Sequence, residues 1–488
     1  MWFNSVAFLV FIMSVLPLFF VLGAIRSKAG TPRIVFLVGA SCLFYMWWNP
    51  PYIILLLISM VWDYCCGLLF LRWPRDRWRW IIAISVTGSL TILTIFKYGR
   101  LFYTSFAWLM AHLGIGLPEW RPEWGFVLPA GLSFYTFQTM SYCIDVYRGK
   151  AEVERSFYRF SLFIAFFPHL VAGPIVKARD LLPQYRNLRH NRPVDVLNAI
   201  EQITYGLFKK IAVADSLALL INPIFAAPGH YSGAMLAMAT LFFSFQIYCD
   251  FSGYTDIAIG VAKLFGVRFP RNFLFPYFQT NIQEFWHTWH MSLSSWLREY
   301  LYFSLGGNRK GKLRTYANLM VTMLLGGLWH GASWSFLVWG LLHGMYLAAD
   351  RFFKSLRPAR RIAELMKPAC FRVPALAVGG LFTFSLVTLT WIPFRLTGFG
   401  DALTCVRRIF SWAPSTADAA RFDGGLLATA WLLIAILLAF DVFYKLEYHF
   451  WEGRPRTQYF KLGFPAAFLL MAVIFGAEQA QQFIYFQF

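Results

Sequence analysis

The sequence predicts an all-α, polytopic integral membrane protein, and three observations predict it. Hydrophobic residues make up 58% of the chain against 14% charged, and the mean hydropathy is +0.53. Many apolar segments approach the ~20 residues that a helix needs to cross a ~30 Å hydrocarbon core. The basic residues, 44 Lys and Arg against 24 Asp and Glu, gather in short loops between those segments. In a soluble chain a net charge of +20 would suggest nucleic acid. Here its distribution fits cytoplasmic loops and anionic lipid headgroups, and no nucleic-acid partner is expected. Aromatics at 19%, with 20 Trp, suit interfacial belts.

The elements follow in order. The run from Val6 to Ala24 has no Lys or Arg before it, whereas Arg26, Lys28 and Arg33 follow it. That polarity favours an uncleaved first helix with its N-terminus outside over a signal peptide. "RSKAGTPR" reads as cytoplasmic, "WNPPY" (Trp48 to Tyr52) as an outer turn, and "RWPRDRWRW" (Arg72 to Trp80) as cytoplasmic again. The apolar stretch from Ile81 to Leu117 forms one long helix or two short ones. "PEWRPEW" is then an outer loop, and Phe126 to Tyr147 returns inside to Arg148, Lys150 and Arg155.

"FSLFIAFFPHLVAGPIVKARDLLPQYRNLRHNR" departs from that regularity. Its apolar run is too short to span easily, is broken by Pro168, His169, Gly173 and Pro174, and has basic flanks on both sides. This predicts a re-entrant hairpin, which is tolerated at membrane depth only under a cover of protein or beside a wet cavity. Spans are expected from Val194 to Ile224 and from Met235 to Tyr248. The polar stretch beginning "YCDFSGYTDIAIG" then reads as amphipathic, partly interfacial helices facing the cytoplasm. Two or three further spans are expected after the basic residues 351–373. The seven cysteines lie mostly in apolar runs without CxxC or Cys/His spacing, and read as small apolar fillers.

Chemistry concentrates at "GGLWHGA", Gly326 to Ala332. His330 lies 16 residues beyond Arg314 and 21 before Arg351, so as helices its two arms would reach roughly 24 Å and 31 Å. Basic residues at both ends predict a helical hairpin with both ends in the cytoplasm and Trp-His-Gly at its bend, deep in the membrane. Gly326, Gly327 and Gly331 let backbones approach closely there. A buried imidazole needs a partner or a wet path. It is either a tether to a neighbouring helix or a general base that takes the proton of an alcohol attacking an acyl carbonyl. No paired serine or cysteine nucleophile is evident, so direct transfer is simpler than an acyl-enzyme.

His287 and His290, in "FWHTWHMSLSSW", are three apart and would share one helical face. With no third ligand nearby, no metal site is assigned. His290 reads as a second polar residue lining a tunnel or tying helices together. Asp250, Ser252, Tyr254 and Asp256, in "DFSGYTD", bring carboxylates and hydroxyls to a helix end, either capping it or lining a cavity mouth. "GGNRKGKL" resembles a Walker A loop, but Leu313 replaces the required Ser/Thr and no strand precedes it. Arg309, Lys310, Lys312 and Arg314 suit phosphates or lipid headgroups through charge alone.

Taken together, "PAGLSFYTFQTMSYCIDVYRG", "FFPHLVAGPI", "YCDFSGYTDIAIG", "FPRNFLFPY", "FWHTWHMSLSSWLREYLYFSLGGNRKG", "GGLWHGASWSFLVWGLLHG" and the terminal "FIYFQF" resemble the membrane-bound O-acyltransferase (MBOAT) family, in its alginate O-acetylation branch. The likeness covers most of the chain and is densest over residues 128–346. It implies a single membrane domain, 1–488, with N-terminal spans in 1–125, an MBOAT catalytic core in 126–350 and C-terminal spans in 351–488. It also implies re-entrant and interfacial helices around a tunnel. The family's essential histidine falls on His330, its second histidine on His290, and Trp329 beside them joins the tunnel lining. His287 stands where relatives often carry another basic residue, and takes no role. The donor implied is acetyl-CoA on the cytoplasmic side, with no resident cofactor. The acceptor implied is an exported polysaccharide or a periplasmic acyl-accepting transferase, and the location is the bacterial inner membrane.

Two other classes fit some of the same residues. The broken segment and intramembrane polar groups suit a transporter or flippase, although no paired inverted repeats or charge relay are visible. A catalytically passive scaffold for polysaccharide export is the other. Among enzymes, D-alanyl transfer to a teichoic acid from a carrier-protein donor is the runner-up.

Overall fold

A computed structural model describes residues 1–23, 31–120, 128–188, 196–356, 369–415, 424–450, 458–476 and 483–484. Arg26, Lys28, most of "PEWRPEW", the basic residues 357–368 and the last four residues of "FIYFQF" lie outside the described residues. Every regular element among the described residues is helical. Five helices are long and apolar enough to cross a membrane: Pro50–Arg72, Arg75–His112, Gly233–Leu264, Arg372–Arg395 and Gly424–Glu447. The chain divides into two compact units, Met1–Ile203 with Tyr254–Pro270, and Thr204–Gly253 with Arg271–Phe488.

The first unit begins with α1 (Val6–Leu22), whose N-cap Ser5 accepts the Phe8 N–H at 3.2 Å. Next come α2 (Thr31–Met46) and α3 (Ile53–Arg72). The stretch expected as one helix or two is one: α4 (Trp78–Leu93) continues through a π-helical turn, Thr94–Tyr98, into α5 (Gly99–His112). The π turn absorbs a local change of register without ending the helix. In α6 (Leu132–Tyr147) nearly every residue is buried, although many are polar. Those polar groups have company in neighbouring helices, where buried Asp63 accepts from Ser85 Oγ at 2.5 Å and Ser89 Oγ at 3.0 Å.

The broken segment is present as expected. α7 (Phe157–Ala165) stops at Phe166, α8 (Phe167–Leu170) carries Pro168 in its first turn, and α9 (Ala178–Arg186) follows. Residues 160–170 are all buried. The backbone freed at the break is satisfied locally: Phe167 N–H donates to Ser41 Oγ at 3.1 Å, and His169 Nε2 donates to the Phe163 carbonyl at 3.1 Å. An ionic clamp holds the entry to this segment. Glu154 accepts from Arg159 Nη2 at 2.8 Å and Arg186 Nε at 3.2 Å, and Arg186 also reaches Glu152 at 2.6 Å.

α10 (Val196–Leu207), a π-helical turn (Phe208–Asp215) and α11 (Ser216–Ala226) follow as one interrupted helix. α12 (Gly233–Leu264) then corrects the sequence reading. It does not stop near Tyr248 but runs 32 residues, straight through "DFSGYTD". Asp250, Ser252, Tyr254 and Asp256 therefore project from mid-helix and cap nothing. Nothing in Gly233–Leu264 breaks a helix, since it holds no proline, and each carboxylate meets a partner on another helix.

The second unit continues with α13 (Ile282–Thr288), α14 (Met291–Trp296) and a π-helical turn, Leu297–Tyr302. α15 (Lys312–His330) and α16 (Trp334–Ser355) form the expected hairpin. α17 (Ala369–Arg395), α18 (Phe399–Phe410), α19 (Gly424–Phe450) and α20 (Gln458–Ile474) complete it. α18 buries Ala402 and Cys405 and exposes Phe399, Leu403 and Phe410.

The Glu154 clamp carries a pH dependence. Burial alone would raise its carboxyl, but the hydrogen bonds from Arg159 and Ser156 and the charges of Arg159 and Arg186 hold it below the ordinary carboxylate range. A carboxyl lowered on folding contributes stability that is complete above its unfolded value and is lost as pH falls through the folded one. Glu154→Gln should therefore lower the melting temperature of the purified protein at pH 7 and narrow its difference from wild type at acid pH. A constant difference from pH 7 to pH 3 would refute the clamp.

Candidate active site

His330 is the last residue of α15, and the chain turns at once into α16. The turn is sharp because it is pinned. Ser333 caps α16 by accepting the Ser335 N–H at 3.2 Å, and both hydroxyls donate to the Thr397 carbonyl, at 3.0 and 2.9 Å. The two arms touch through glycine. A Cβ on Gly327 would strike the Phe336 carbonyl and lie 3.1 Å from Gly340, and a Cβ on Gly340 would strike the Met323 carbonyl. No other residue permits that backbone approach.

The His330 ring is 5% exposed and sits in an aromatic box. Ring centroids of Trp339, Trp329 and Phe394 lie 5.0, 5.1 and 5.3 Å away, all edge-on. The His290 ring lies 6.4 Å away between centroids. An imidazole nitrogen lies roughly 1.1 Å from its centroid, so the two rings hold their nitrogens at least about 4 Å apart, beyond hydrogen-bond reach.

His290 is fully buried, and its backbone is in the left-handed region, φ 41° and ψ 54°. A non-glycine residue there is held by its surroundings. α13 has already ended at Thr288, so His287 and His290 do not share a helical face, contrary to their spacing. His287 is exposed at the surface, 3.6 Å from Glu284, while His290 points inward. This turn is what separates them. Asn272 provides the hold: its Oδ1 lies 3.1 Å from His290 Nδ1 and accepts from Ser292 N at 3.1 Å and Ser292 Oγ at 2.9 Å. Met291 N–H also donates to the Asn272 carbonyl at 2.9 Å. Phe251 packs edge-on against the His290 ring at 4.7 Å.

A third histidine, not singled out by the sequence reading, supports the box. His343 Nδ1 accepts from Trp286 Nε1 at 3.3 Å. Its Nε2 lies 3.0 Å from Thr390 Oγ1, whose own hydrogen goes to the Val387 carbonyl at 2.6 Å. Nε2 must therefore be the protonated nitrogen. Its ring lies 4.7 Å from Trp339, which in turn faces His330. Both of its nitrogens are committed to the protein, so His343 is a brace.

The other expected site residues are placed differently. Asp250 pairs with Lys210 at 2.7 Å, and its second oxygen accepts the Ile484 N–H at 2.7 Å. Lys210 also binds Asp215 at 2.7 Å, which makes a buried ionic knot. Ser252 is buried in the same unit. Tyr254 and Asp256 belong to the first unit, where Tyr254 stacks on Phe3 at 4.5 Å and Asp256 accepts from Gln202 at 3.1 Å. Arg309 and Lys310 are exposed in the turn before α15, whose glycines Gly306, Gly307 and Gly311 have φ of 105°, 57° and 86°. Asn318 Nδ2 fastens that turn by donating to the Gly307 carbonyl at 2.8 Å.

Comparison with known proteins joins this geometry to a family. Residues 152–389 match the sequence model of MBOAT, the membrane-bound O-acyltransferase family. A probable alginate O-acetylase of Pseudomonas putida is 37% identical over 455 residues, 91% of this chain and 88% of that protein. The chain is a membrane-bound O-acyltransferase. A peptidoglycan O-acetyltransferase of Helicobacter pylori is 32% identical over 81% of this chain and 78% of its own length. A teichoic acid D-alanyltransferase of Streptococcus thermophilus is 30% identical over 54% of this chain and 67% of its own. The acyltransferase is thus a multi-pass membrane enzyme, and both histidines of the box fall within the stretch that defines the family.

The glycine contact sets a test. Gly327→Ala or Gly340→Ala should each cost roughly 1–3 kcal/mol through overpacking, read as a lower melting temperature of the acyltransferase. Gly39→Ala, where an added Cβ meets nothing within 4 Å, is the control and should leave it unchanged. Equal melting for all three variants would sink the close-packed hairpin.

Proposed function

We propose that the acyltransferase moves acetyl groups from cytoplasmic acetyl-CoA to hydroxyls of an exported, alginate-like polysaccharide, or to a periplasmic transferase that passes them on, from the bacterial inner membrane. The observation that carries the reading is the pair of buried imidazoles at the hairpin bend, in a chain 37% identical over 91% of its length to a probable alginate O-acetylase. The relatives bearing D-alanyl names cover about half of the chain, which favours acetyl transfer over D-alanylation.

The chemistry asks little else of the protein. An acceptor hydroxyl enters the gap between the rings, and His330 takes its proton as the oxygen attacks the thioester carbonyl. The C–O bond forms, the C–S bond breaks, and the proton passes to the departing thiolate. His330 ends a 19-residue helix, whose C-terminal carbonyls favour the positive charge the ring acquires. The aromatic walls exclude water and so disfavour hydrolysis of the thioester. His290 gives the second polar contact to the reacting oxygen. Residues Ala332 and Ser333, partly exposed beside the buried ring, mark the side from which an acceptor approaches.

The test is genetic and chemical. In a strain lacking its own copy, wild-type enzyme restores O-acetyl esters on the secreted polymer. His330→Ala should reduce them to background while immunoblots show the same amount of protein in the membrane fraction. Normal ester content in that variant would refute the general-base role. Purified enzyme that turns over an acyl-carrier thioester but not acetyl-CoA would instead redirect the reading to another acyl cargo.

A further inference from the structure

Asn272, in "FPRNFLFPY", stands out among the residues to which sequence reading assigns no role. It is 1% exposed and lies 18 positions before His290 in sequence, yet one atom of its side chain meets three groups around that histidine. A backbone N–H can only donate, so the atom facing Ser292 N must be the carboxamide oxygen, which fixes the orientation of the amide. That oxygen can only accept. The imidazole nitrogen beside it, Nδ1, must therefore carry a hydrogen. In neutral imidazole one nitrogen is protonated and the other bears the lone pair, so the basic nitrogen of His290 is Nε2.

We propose that Asn272 is a positioning residue of the acyltransferase, holding His290 in its Nδ1–H form so that Nε2 is the nitrogen offered to the reacting oxygen. The inference rests on the reading of the histidine pair as the reacting centre. The arrangement has the logic of outer-shell partners elsewhere, where the atom behind an imidazole selects its tautomer and orientation. It also accounts for the strained backbone. The left-handed turn at His290 brings Nδ1 and the Ser292 amide to the same oxygen, and these bonds with the Met291 N–H to the Asn272 carbonyl tie the turn to the segment before α13. Rings of Phe251, Phe273, Trp329 and His330 pack around the imidazole.

The test reads the tautomer directly. The purified enzyme, labelled with ¹⁵N at its nine histidines, is compared by solid-state NMR with its His290→Gln variant, so that the missing signals assign His290. The expected spectrum shows Nδ1 protonated and Nε2 unprotonated. The reverse assignment overturns the proposal. Asn272→Asp keeps an acceptor of the same size and should preserve that spectrum and most of the acetyl-CoA turnover. Asn272→Leu removes the acceptor, and should mix the tautomers and lower kcat by about 10²-fold with little change in KM. Equal kcat in the Leu variant, or a scrambled tautomer in the Asp variant, sinks the idea. Should the Leu variant not fold, the wild-type and Asp spectra still decide. If wild-type enzyme fails to consume acetyl-CoA, the donor reading falls while the spectra still judge Asn272.

Discussion

A buried polar group in an apolar bundle must find a partner, and this requirement organises the second unit. Its histidines show three ways of meeting it. His343 gives both nitrogens to the protein and becomes a strut between α13, α16 and α17. His290 gives one nitrogen to Asn272. His330 meets the ring edges of Trp329, Trp339 and Phe394, with the His290 ring 6.4 Å away. His343 and Lys210 give their polar groups to the fold, and His290 and His330 also pack against the aromatic rings of Phe251, Trp329 and Phe394.

Close backbone packing makes that box possible. Trp339 reaches His330 on one side and His343 on the other, because α15 and α16 approach to within glycine contact. A wider hairpin would separate the rings and admit lipid or water between them. The Thr397 carbonyl, accepting from two serines, holds the bend where α17 gives way to α18. The two imidazoles are thus held by packed helices and a pinned turn, which suits the reaction we propose between them.

Much of this was legible in the sequence, and the remainder was hidden for physical reasons. The hairpin and its bend followed from basic residues at both ends of an apolar run and from glycines around one histidine. The broken helix followed from Pro168 within a short apolar stretch. Two readings failed because periodicity sees only local geometry. The i, i+3 spacing of His287 and His290 counted as one helical face, but the chain enters the left-handed region at His290 and the faces part. "DFSGYTD" looked like a helix end because its polar side chains were read without their partners, and Lys210 and Gln202, far off in sequence, allow α12 to continue. Asn272 and His343 lie in stretches that carry the family resemblance, but nothing in their local pattern gives either a role. Asn272 is one asparagine in "FPRNFLFPY", and only the fold places it behind an imidazole.

The two buried histidines of the hairpin bend are therefore not interchangeable, although their rings are chemically identical. His290 is at 0% exposure with its orientation set from behind, whereas His330 is 5% exposed at a bend where, past buried Gly331, Ala332 and Ser333 are partly exposed. A base must both accept a proton and release it, which favours the ring nearer to an exit. A group that only orients the oxygen gains from complete burial, because its hydrogen bond strengthens as water is excluded. Burial, the Asn272 contact and position at the bend thus suit the division of labour we propose, with His290 holding the hydroxyl and His330 moving its proton.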